Sequence, residues 1–278
     1  MPAASGWSTN GASRFGQHPT TDPLVTVDLF VHHAVSTTGG TAGATARAWE
    51  GLLVKLLLTS GGVRNASIHA ALADLLGRPV AECDALFIPT AQWGQPACSP
   101  QSVWMSVAGR WPGEVGLVEL GWKSVGVLEL AALPSIGRER WEPWVRKADV
   151  LLVDGGEATY LCHWLRESGL AELLPSLTDT VWVGVSAGSM VMTPRIGREF
   201  VDWSGASGDE TLGIVDFSIF PHLDFPGWPD NSTESARRWA TKIAGPAYAI
   251  DDQTAISVVD GTVEVVSEGN WELLNPPA

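Results

Sequence analysis

The sequence predicts an α/β fold, with a doubly wound, mostly parallel sheet covered by helices on both faces. Three observations predict it. From Lys55 onward, short apolar runs alternate with helical segments, the order that builds parallel sheets through helical crossovers. The apolar runs are continuous, as in KLLLT and VLLV, which suits strands buried on both faces. Several of them run straight into glycine turns: TSGG, VDGG and GVSAG.

The elements follow in order. KLLLTSGG reads as a strand entering a glycine turn, and NASIHAALADLLG as an amphipathic helix closed by Gly77. ALFIPTA, SVGVLELA and ADVLLVDGG are the second, third and fourth strands. EATYLCHWLRESG is a helix with Gly169 at its C-terminal end. TVWVGVSAG is the fifth strand, and AGSMVMT a short helix stopped by Pro194. Residues 197–213 form a loop rich in Gly, Ser and acid. AYAIDDQTAISVVDGTVEVVSEG then reads as further strands, including a hairpin turning at Asp260-Gly261.

Composition bounds the rest. With 278 residues and 45% hydrophobic content, the chain can bury one sizeable core. Residues 1–53 are rich in Ser, Thr, Gly and Ala, with little periodicity beyond LVTVDLFVHHAV. They read as a disordered tail, and residues 54–278 as a single domain. The late onset of regular alternation points to Val54 as an alternative start; an intact native mass that includes residues 1–53 would overturn this.

The polar N-terminus shows no secretory signal. GLLVKLLL is too short to span a bilayer and is broken by Lys55. The cytoplasm is the expected compartment, with no membrane partner. A net charge of -14 favours solubility and disfavours nucleic acid as a partner. Cys83, Cys98 and Cys162 match neither a disulfide framework nor a zinc pattern, and no HExxH occurs. No metal and no cofactor are expected. The fourteen tryptophans are scattered and read as packing residues.

The chemistry-bearing stretch is Gly184-Val185-Ser186-Ala187-Gly188, the G-x-S-x-G nucleophile elbow. A sharp strand-to-helix turn exposes the serine, and its neighbours must be small. Free N–H groups of the following turn can hold an oxyanion. A serine needs a base. His18, His32 and His33 lie in the tail, and His69 and His163 within helices. His222, in the Pro-flanked FSIFPHLDF, is the remaining candidate. The base in turn needs an acid. Glu199, Asp202, Asp224, Asp251 and Asp252 are all open choices. Gly155-Gly156, in VDGGEATYL, can supply a second oxyanion donor.

Taken together, TSGG, DGGEATYL, GVSAGS and FPHLD followed by YAIDDQTAI resemble the peptidase E and cyanophycinase family of serine peptidases. The likeness runs from about Lys55 to Asn275. It implies a class I glutamine amidotransferase-like fold (a flavodoxin-like three-layer sandwich), with serine where those enzymes carry cysteine. By this resemblance Ser186 matches the nucleophile and His222 the base, and Gly156 and Ala187 offer oxyanion N–H groups. Asp202 and Asp252 both match positions of the acid, with Asp252 the better motif fit. Glu157 departs from the family's usual Asn or Asp and becomes a substrate-binding candidate.

Family substrates are aspartyl: N-terminal Asp dipeptides for peptidase E, β-aspartyl-arginine for cyanophycinase. A cation is needed for them, and Arg64, Arg195 and Arg198 are available, Arg195 being placed with the substrate site. A small exopeptidase acting on a short peptide is expected, with a homodimer left open. An esterase using the same serine, and a non-catalytic amidotransferase-like binding protein, are the rival readings. An α/β-hydrolase esterase usually carries its histidine near the C-terminus, yet no histidine follows His222.

Overall fold

The computed structural model describes residues 24–27, 55–110 and 116–277. The stretch read as a tail, apart from 24–27, and the start at Val54 lie outside these residues. The strands are β1 (Leu24–Val27), β2 (Lys55–Thr59), β3 (Asp84–Ile88), β4 (Ser124–Val127), β5 (Val150–Val153) and β6 (Val181–Val185). They continue with β7 (Ser218–Phe220), β8 (Ala247–Ile250), β9 (Thr254–Val259), β10 (Thr262–Ser267) and β11 (Trp271–Leu274). Eight form one sheet in the order β1-β10-β9-β2-β6-β5-β3-β4. The run from β2 to β4 is parallel throughout. β9, β10 and β1 extend it as an antiparallel edge.

All five strands expected between Lys55 and Val185 are present. Their residues alternate between two cores: Leu56, Leu58, Leu151 and Trp182 face one, and Leu57, Val150, Leu152 and Val183 the other. That two-sided burial explains the continuous apolar runs. Helix α1 (Ala66–Leu76) covers the second core with Ile68, Leu72 and Leu75. Its ends match their sequence signals. The Asn65 side chain accepts the Ile68 N–H, and Gly77 closes the helix at φ 66°.

On the other face lie α4 (Arg138–Lys147), α5 (Ala158–Glu167) and α6 (Leu170–Leu173), with Trp141 and Leu161 fully buried. α4 and two further helices, α2 (Thr90–Trp93) and α3 (Pro100–Val107), fall in stretches to which the sequence reading assigns no helix. A second sheet, β11-β8-β7, was also not foreseen. It packs Ile219 and Ile250 onto the first core and Phe220, Ala247 and Ala249 against Trp239 of α8 (Thr233–Ala240).

The hairpin between β9 and β10 turns at Asp260 (φ 49°) and Gly261 (φ 82°), the two positive φ angles of a type I′ turn. The parallel registers set Thr59 beside Val185, and Val153 beside Gly184. Three glycine-rich turns therefore emerge together at the C-terminal ends of β2, β5 and β6, where open α/β sheets place their sites.

Candidate active site

Beyond β6 the chain reverses at Ser186 and enters the four-residue helix α7 (Ala187–Met190). Ser186 has φ 48° and ψ −108°, a region that costs roughly 1–3 kcal/mol for a residue with a Cβ. Four hydrogen bonds hold it there. The Ser186 N–H donates to the Thr59 carbonyl at 3.0 Å, and the Ser186 carbonyl accepts the Ser189 and Met190 N–H groups at 2.9 and 2.8 Å. The buried Ser189 hydroxyl donates to the same Thr59 carbonyl at 2.7 Å. The flanking glycine at 188 is required by contact, because a Cβ there would run into the Val153 carbonyl. The elbow is thus clamped between the ends of β2 and β5.

The turn after β5 faces the serine: a Cβ on Gly155 would lie 3.5 Å from that of Ser186. Gly156 sits at φ 143°, with the Ala91 backbone where a side chain would be, so only glycine fits. Among the described residues, no acceptor takes the N–H of Gly156 or of Ala187. Two such donors therefore flank Ser186 from separate turns, the arrangement an oxyanion hole would need. Beside them Asp154 accepts the Gly155 N–H at 2.9 Å and the Gln92 amide at 2.5 Å. Burial pushes the Asp154 carboxyl up, against the lowering effect of its hydrogen bonds.

His222 follows β7 in a left-handed conformation, φ 55°. Its Nδ1 lies 2.7 Å from Asp252 Oδ1. Ser60 joins the two: its hydroxyl accepts the His222 N–H at 2.6 Å and donates to Asp252 Oδ1 at 3.0 Å. Burial works to raise the Asp252 carboxyl. The hydrogen bond and charge of His222, the Ser60 hydroxyl and the Arg64 charge outweigh it, and the carboxyl stays below its ordinary value. A carboxylate at Nδ1 fixes the ring so that Nε2 is the nitrogen left to move a proton.

The other acids have different partners. Glu199 is paired with Lys242. Asp224 accepts the Thr233 N–H and hydroxyl. Asp251 accepts from Gln253 and Thr254 in its own turn and from the Asn270 N–H just before β11. Asp202 is brought to Glu157, not to His222: its N–H donates to Glu157 Oε1 at 3.3 Å.

Glu157 itself is only 2% exposed. Its carboxylate caps α5 through the Tyr160 N–H, takes the Thr159 hydroxyl, and holds the N–H groups of Asp202 and Trp203. Arg195 is paired with Asp209, whose side chain is 4% exposed. Burial pushes that acid upward, but Arg195 and the Gly197 N–H hold it below its ordinary value. Sequence reasoning missed the separate roles of Thr59 and Ser60. The signal is the TSGG motif, which sequence shows as a turn and as part of the family resemblance.

Comparison with known proteins follows the same lines. A family model for peptidase family S51 matches residues 56–266. A crystal structure of a candidate peptidase E protein from Listeria monocytogenes EGD-e superposes with a TM-score of 0.60 at 20% identity, over 78% of this chain and 100% of that one. A peptidase from an acI-B1 actinobacterium gives a TM-score of 0.57 at 19% identity, over 83% of this chain and 94% of the other. No curated protein matches.

Proposed function

Because the chain belongs to peptidase family S51 and is accordingly a serine peptidase, we propose that it is an exopeptidase releasing N-terminal Asp from dipeptides. In this reading Ser186 is the nucleophile, His222 the base and Asp252 the acid. Gly156 and Ala187 supply the oxyanion donors. One observation carries the assignment: the strained serine and the His222–Asp252 pair are held by two consecutive residues, Thr59 and Ser60.

The reaction runs as acyl transfer. His222 accepts the Ser186 proton as the Oγ–carbon bond forms, and the negative charge on the former carbonyl oxygen falls to the two backbone donors. His222 then passes that proton to the leaving nitrogen as the carbon–nitrogen bond breaks. Water, deprotonated by the same imidazole, cleaves the ester, returning the free acid and Ser186. An N-terminal Asp side chain needs a cation. We assign that role to Arg64, whose Nε donates to the carbonyl of Gly61, the residue against which Asp252 lies.

The test is hydrolysis of Asp-Leu against a panel of other dipeptides by wild type and Ser186→Ala. Cleavage confined to N-terminal Asp, reduced at least about a thousandfold in the variant, is expected. An active Ser186→Ala protein would refute the mechanism, and indifference to the N-terminal residue would refute the specificity.

A further inference from the structure

The loop after His222 carries two exposed aromatic rings that the reaction, as described, does not use. Trp228 is 49% exposed and Phe225 37%. Trp228 meets the His222 ring edge-to-face, with centroids 4.4 Å apart at 85°; Phe225 lies 6.3 Å from His222 and 5.3 Å from Trp228. The segment is tied down rather than loose. The Asp224 N–H donates to the Asn231 carbonyl at 2.7 Å, the Asn231 amide donates to the Pro221 carbonyl at 3.1 Å, and the Asp224 carboxylate accepts from Thr233. A fixed apolar wall therefore stands against the His222 ring while much of its surface faces water.

The base hands its proton to the leaving nitrogen, so a water-exposed group beside the imidazole, unlike Asp252 at Nδ1, is within reach of the leaving residue. Large aromatic surface left in water at such a point favours an apolar occupant. We propose that Phe225 and Trp228 form the subsite for the side chain of the leaving amino acid, and that this subsite selects apolar residues such as Leu, Met and Phe. The proposal rests on the serine exopeptidase reading given above.

It is tested with a dipeptide series sharing one N-terminal residue and differing in the second: Leu, Phe, Ser and Gly. Wild type should favour Leu and Phe over Gly in kcat/KM by about tenfold or more. In Trp228→Ala and Phe225→Ala that ratio should collapse toward one, mainly because the apolar substrates lose rate. A flat preference in wild type overturns the proposal. So does an equal loss on every substrate in Trp228→Ala, which would show a ring that only steadies His222. If no dipeptide is cleaved, the subsite falls together with the exopeptidase reading. Phosphonate labelling of Ser186 then tells whether the nucleophile outlasts both.

Discussion

Ser60 and Thr59 show how much of the site depends on single atoms. The Ser60 hydroxyl serves both the backbone of His222 and the carboxylate of Asp252, while the Thr59 carbonyl accepts from Ser186 and Ser189. Both residues are fully buried, so no water can take their place. The acid is decided at this same scale. Replacing Asp252 by Asn keeps the shape but leaves Nδ1 facing an amide, which favours the wrong tautomer. Asp252→Asn should therefore lower kcat by up to about 10⁴-fold, as for triads of this kind. Asp202→Asn should leave kcat within a few-fold, because only the Asp202 backbone is engaged. Steady-state kinetics on the two variants decides the point: a large loss in Asp202→Asn with little in Asp252→Asn would reverse the assignment.

Among elements, α5 and the loop at 197–213 behave as a unit, joined by Glu157. Its carboxylate caps the helix and holds two loop N–H groups from a nearly dry position. Trp203 then packs edge-on against Tyr160, 5.3 Å between centroids. Glu157→Ala removes the cap and strands those donors, so it should destabilise the protein by about 2 kcal/mol or more. Glu157→Gln, which keeps an acceptor, should lose less. Urea unfolding of both variants measures this, and an unchanged midpoint in Glu157→Ala would show that the clasp is idle. The clasp also marks a limit of legibility. Strands, the α1 caps and the elbow were readable because each depends on residues adjacent in sequence. Glu157 reads from sequence as a substrate-binding candidate because two of its partners, the Asp202 and Trp203 N–H groups, lie some 45 positions away. The residues alone leave five acids open, and only the motif fit favours Asp252, because the histidine it meets in the structure lies 30 residues away. The β7–β8–β11 sheet joins three segments separated by α8 and by the β9–β10 hairpin, and no local pattern announces such a pairing.

For the whole molecule, buried carboxylates pull stability in opposite directions with pH. Asp252 and Asp209 are held below their ordinary values in the fold. What they contribute is present above the unfolded Asp pKa of about 4 and is lost as pH falls through their lower folded values. Asp154 is the reverse case, because burial raises its carboxyl. Its folded form holds a proton more tightly than the unfolded chain does. That contribution is full below about pH 4 and is lost as pH rises through the raised folded value. The fold is therefore weakened in acid at Asp252 and Asp209 and weakened at Asp154 as pH rises above the unfolded Asp value. Asp154→Asn removes the second effect and keeps an oxygen for the Gly155 N–H, while loss of the acceptor for the Gln92 amide adds a cost that does not vary with pH. In urea titrations from pH 4 to pH 8, the variant should gain on wild type steadily as pH rises, while both still fail together in acid. A difference between the two proteins that stays constant across this range would mean that Asp154 does not titrate there, and that the turn carrying Gly156 bears no buried charge penalty.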